Sequence, residues 1–160
     1  MKLILSFLTT FIFFFQTDLE ALRNSYAKAN QSSENTRSFI SIAEKQSGSD
    51  PVTNGYKAAA QIMEAKITTE KGKRKSFVKT GATTLENLVK NNPNNIELRL
   101  IRLSVQENIP KIVGYRGGLK EDKAFILNNY NKQSTALKNY IKKFAVQSKT
   151  FTVTDKASLK

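Results

Sequence analysis

The chain of 160 residues has no cysteine and no histidine. Those two absences exclude a disulfide framework, a zinc site of the usual Cys/His kind, a thiolate nucleophile and an imidazole base. Acidic residues are scarce, 13 against 26 Lys and Arg, so the formal net charge is +13. Strict apolar alternation, the mark of a half-buried strand, is nearly confined to Phe151-Thr-Val153. No GxxxxGK[ST] frame surrounds Lys71-Gly-Lys73, so there is no P-loop. What is present is a hydrophobic fraction of 39%, enough to bury one domain-sized core and to exclude wholesale disorder.

The first sixteen residues, MKLILSFLTTFIFFFQ, differ from the rest. Lys2 supplies a positive start, and Leu3 to Phe15 is apolar apart from Ser6, Thr9 and Thr10. Such a stretch is short for a membrane span of roughly 20 residues but suits a secretory h-region of about 7–15. Phe11 to Phe15 also lacks the polar face that a core helix needs. The sequence therefore predicts a signal peptide or uncleaved anchor over 1–16, with a periplasmic or secreted location. No cysteine is available for a lipoprotein anchor. A single domain is expected over 17–149, followed by a flexible basic tail over 150–160.

Recurrent 3.6-residue stripes predict an all-α fold of about seven short antiparallel helices. They fall at about 18–30, 34–46, 51–67, 73–91, 94–108, 119–131 and 135–148. Ser32 or Ser33 is placed to cap the second, and Pro51 suits the first turn of the third. Ala58, Ala59 and Ala60 form a small-residue strip, and Gly81 inside the fourth helix calls for a close neighbour, since it costs roughly 1 kcal/mol relative to Ala. The fifth helix is unusual. Ile96, Leu100 and Leu103 fall on one side, with Leu98, Ile101, Val105 and Ile109 nearly opposite. Two apolar faces predict a helix gripped from two directions. Polar seams run between them, one of Arg99, Arg102 and Gln106, the other of Glu97, Ser104 and Asn108.

The stretch GATTLENLVKNNPNNIELRL, Gly81 to Leu100, resembles a tetratricopeptide-repeat (TPR) junction, with Gly81, Leu85 and Pro93 at its small, bulky and proline positions. Arg99, Arg102 and Leu103 stand where the repeat prefers Trp, Leu and Gly, and Leu88 replaces a small residue. The resemblance implies TPR-like helical hairpins, not a tandem array. Within a wider stretch, Tyr56 to Tyr130, the segments NPNNIELRLIRLSVQENIPKIVGY (Asn92 to Tyr115) and LKEDKAFI (Leu119 to Ile126) stand out. On these segments the chain resembles a family of uncharacterised exported helical proteins of Gram-negative bacteria. That likeness implies fold class and export, and no activity.

Two groups of residues invite a chemical role. Arg99, Arg102 and Gln106 share one helix edge, with Tyr115 and Arg116 in the glycine-flanked loop nearby. Half-buried arginines need carboxylate partners. Either Glu107, Glu121 or Asp122 supplies them and locks the sixth helix to the fifth, or the seam forms a pocket for an anion or a peptide carboxylate. The second group is Lys71, Lys73, Arg74, Lys75 and Lys79, five cations in nine residues. A solvated helix start accounts for them, although cations at a helix N-terminus oppose the macrodipole. An anionic partner removes that opposition.

Nucleic acid is disfavoured as a partner, because the Tyr and Phe residues fall on apolar stripes and leave few rings for stacking. Catalysis is not expected, and neither a metal nor another cofactor is called for. Glu97, Glu107, Glu121 and Asp122 could form the carboxylate pair of a degenerate hydrolase, but nothing fixes their separation and each has ready Lys or Arg partners. The expectation is an exported, non-enzymatic binding or scaffolding module, taking an acidic or phosphate-bearing protein or peptide. A peripheral binder of anionic membrane surfaces is the alternative. The sequence sets no oligomeric state.

Overall fold

The computed structural model describes residues 19–159, which are helical or in turns with no strand among them. The signal segment expected at 1–16 lies outside the described residues. Eight α-helices are described: α1 (19–28), α2 (Ser33–Lys45), α3 (Pro51–Ile67), α4 (Lys71–Asn91), α5 (Ile96–Asn108), α6 (Leu119–Asn129), α7 (Thr135–Gln147) and α8 (Val153–Ser158). Short 3-10 turns cover Lys111–Val113 and Tyr130–Lys132.

Local chemistry explains the boundaries. Ser32, Asp50, Asn95 and Ser134 each accept a backbone N–H in the first turn of the helix that follows. Pro51 opens α3, where its missing N–H has no intrahelical partner to lose. Gly48 at φ 110° and Gly114 at φ 75° turn the chain through the left-handed region. Gly81 is a contact glycine. A Cβ there would lie 2.6 Å from the Ala58 carbonyl oxygen and 2.6 Å from Ile62 Cγ1, so only glycine lets α4 approach α3 this closely.

Twelve of the thirteen residues of α5 are buried. Leu98, Ile101, Val105 and Ile109 enter a core built with α1–α4, whose centre is the ring cluster of Tyr26, Phe39 and Tyr56. On the opposite side, Ile96, Leu100 and Leu103 pack with Ile126, Tyr130, Ile141, Phe151 and Leu159 in a second core. The polar seams are covered too, except at exposed Asn108. Glu97 accepts from Arg23 Nε (2.8 Å) and Nη2 (2.5 Å) of α1 and from the Tyr56 hydroxyl of α3 (2.8 Å). Tyr26 donates to Ser104 Oγ at 3.1 Å, and burial pushes its phenol up to about 12.

The C-terminal residues correct the expectation of a flexible tail. Phe151 and Leu159 are 3% and 2% exposed in the second core, and α8 lies between them. A reciprocal capping box starts that helix: Thr152 Oγ1 accepts from Asp155 N–H, and Asp155 Oδ2 accepts from Thr152 N–H. Lys123 of α6 donates to the same Asp155 oxygen at 2.8 Å. That ammonium, helped by the Thr152 amide, holds the Asp155 carboxyl down at about 2. A helix of six residues is too short to display a stripe, which is why periodicity passed over it.

Candidate functional site

The arginine seam is tied up inside the protein. Arg102 forks onto Asp122, Nε to Oδ2 and Nη2 to Oδ1, both at 2.7 Å, while its Nη1 reaches Glu86 Oε2 at 2.7 Å. Arg99 Nη1 donates to Glu121 Oε1 (2.7 Å) and Asp122 Oδ1 (3.1 Å), and its Nε to the Pro93 carbonyl (2.9 Å). Its guanidinium lies 4.3 Å from the centre of the Phe125 ring. Asp122, with no exposed surface, therefore bridges two arginines of α5 from the first turn of α6. The bidentate Asp122 contact raises the Arg102 pKa, and Arg99 holds the Glu121 carboxyl below its ordinary value.

Of the remaining residues of the expected pocket, Tyr115 joins this network through Glu86, while Gln106 and Arg116 bond to nearby backbone. Tyr115 donates to Glu86 Oε1 at 2.7 Å, with its phenol raised mainly by burial. Gln106 Oε1 accepts the Gly118 N–H at 2.9 Å. Arg116 Nη1 donates to the carbonyls of Ile109 (3.2 Å) and Glu107 (3.4 Å). Two guanidiniums face three carboxylates, Glu86, Glu121 and Asp122, so this cluster has no surplus positive charge for an anion. Its geometry is that of a clamp joining α4, α5 and α6. Glu107 is not part of it; its Oε2 accepts from Ser148 (2.6 Å) and Thr150 (2.9 Å) beyond the end of α7.

The basic run behaves differently. Lys71, Lys73, Arg74, Lys75 and Lys79 are all exposed on the first turns of α4, whose fully buried residues begin only at Gly81. Lys73 pairs with Glu70 at 2.9 Å, a contact more than half exposed on both sides and therefore weak. Arg74 Nη2 donates to the Thr68 carbonyl at 3.2 Å. No side chain caps this helix start.

Beside this run lies a cavity of about 300 Å³ whose apolar walls carry no distinguishing mark in the sequence. Val78 and Ile109 read as ordinary stripe residues, yet together with Ile62, Met63 and Val105 they wall an unfilled space. Arg74 from α4 and Val113 from the Lys111–Val113 turn stand on its rim, so the end of the turn and one residue of the basic run meet there. Val113 is 41% exposed, and Ile112 beside it is 96% exposed.

A wider groove of about 870 Å³ separates α1 from α7. It carries both signs of charge, with Glu20 and Glu107 against Arg23, Lys28 and Lys143, and so favours neither ion class. No helix among the described residues is long and apolar enough to cross a membrane. The chain matches no protein-family model, no curated protein and no solved structure.

Proposed function

We propose that this protein is an exported, non-enzymatic binding module that docks on an anionic, phosphate-bearing membrane surface of the cell envelope. The observation that carries the reading is that Arg74, one of five exposed cations at 71–79, shares a cavity edge with Val113, whose chain neighbour Ile112 is 96% exposed. Cations near an anionic bilayer contribute about 1 kcal/mol each, and an apolar tip gains further by leaving water. An acidic protein partner would need a matching apolar recess to receive Ile112, whereas a bilayer interior takes it without one. The leader-like composition of residues 1–16 supports export to the periplasm or beyond. The packing of α3 on α4 and of α5 on both α3 and α6, with Pro93 in the α4–α5 turn, supports a TPR-like arrangement of hairpins.

Co-sedimentation tests this reading. The protein is expected to pellet with phosphatidylglycerol vesicles at low salt and to stay in solution with phosphatidylcholine vesicles. The binding should fade in moderate salt, because exposed charges are screened over about 10 Å at 0.1 M. Ile112→Ser should weaken the anionic binding without shifting the melting temperature. Equal recovery with neutral vesicles, or none with either, contradicts the reading.

A further inference from the structure

The cavity beside the basic run has an apolar floor and a cationic rim. Its floor is made by buried side chains, chiefly Ile62, Met63, Val105 and Ile109. The charged side chains on its lining are Lys66 and Arg74, both exposed, and no carboxylate lines it. The Lys66 ammonium donates to Asn30 Oδ1, and neither cation forms an ion pair among the described residues. Partial desolvation lowers the Lys66 pKa, the expected sign for an ammonium with no counter-charge beside it. An apolar floor beneath two uncompensated cations is the electrostatic complement of an amphiphilic anion. At about 300 Å³ the space sits at the small end of ligand pockets, which suits one hydrocarbon chain rather than two.

We propose that this cavity binds a single medium-chain carboxylate, with the hydrocarbon chain on the Ile62–Met63–Ile109 floor and the carboxylate held by Lys66 and Arg74. The proposal deepens the membrane-surface reading and rests on it in one respect: Arg74 belongs to both faces, so a ligand released at a bilayer would meet the rim directly.

The test is calorimetric titration with decanoate below its micelle concentration, with decanol as the uncharged control. Decanoate should bind about tenfold more tightly than decanol, the worth of one charge-assisted contact. The double variant Lys66→Gln, Arg74→Gln should bring decanoate down to the decanol level and leave decanol unchanged. Ala65→Phe, at a half-buried position on the lining, should fill the cavity and abolish both. Val78→Phe serves the same purpose from α4, should the first variant fail to melt cooperatively. Equal affinity for decanoate and decanol, no decanoate binding by the native protein, or wild-type binding by a folded cavity-filled variant overturns the proposal. Vesicle co-sedimentation of the same samples separates the two ideas. Vesicle binding without decanoate binding removes the cavity site and spares the surface, whereas decanoate binding without vesicle binding does the reverse.

Discussion

Asp122→Asn is expected to cost about 3 kcal/mol of stability, the lower end of what breaking a buried ion pair removes. The substitution keeps shape and removes one charge. Arg99 and Arg102, 8% and 7% exposed, would then keep only Glu86 and Glu121 as counter-ions, with side chains 43% and 67% exposed. Those two soften the loss without cancelling it. Glu121→Gln, by contrast, removes a contact whose acid is mostly in water and should cost less than about 1 kcal/mol. Urea unfolding of the three proteins checks the pair. A similar midpoint for Asp122→Asn and the native protein would mean that the seam is not a clamp and that its arginines are free for a ligand.

The second large effect is at Leu103, which has no exposed surface and lies in the core shared by α5 with α6, α7 and α8. Leu103→Ala should cost about 2–5 kcal/mol, the transfer of the lost methyl groups plus the cavity they leave. Leu98→Ala, on the opposite face of α5 and equally buried, should cost a similar amount. Because one helix floors both cores, each variant should lower a single thermal transition for the whole molecule. Two transitions in Leu103→Ala, with only α6–α8 melting early, would show the cores to be independent and α5 to be less central than it looks.

Much of the architecture was written in local patterns. The bounds of α3 follow from Asp50-Pro51 at its start and an unbroken stripe to Ile67. The double-sided burial of α5 follows from its two opposed sets of leucines and isoleucines, and the tight α3–α4 approach from Gly81. What escaped is of another kind. Glu86 sits next to buried Leu85, one place off the apolar stripe, and nothing in its own helix says that it meets Arg102 and Tyr115 across an interface. Pairing between helices has no period in the sequence. The docked C-terminus depends on two separated apolar residues, Phe151 and Leu159, around a helix too short to show a stripe. The cavity under Arg74 is space left unfilled by residues that each look like ordinary core, so its only sequence signal was the cationic run at its edge.

In the proposed arrangement the 71–79 run and the 111–113 turn meet an anionic membrane, while the Arg99–Arg102 cluster holds the fold together. Amide hydrogen exchange of the protein on phosphatidylglycerol vesicles tests both halves at once. Slowed exchange is expected to be confined to the first turns of α4 and the Lys111–Val113 turn. Exchange along 114–122, where Tyr115, Arg116 and the Asp122 bridge lie, should match that of the protein free in solution. Slowing centred on 114–122, with residues 71–79 unchanged, would contradict it.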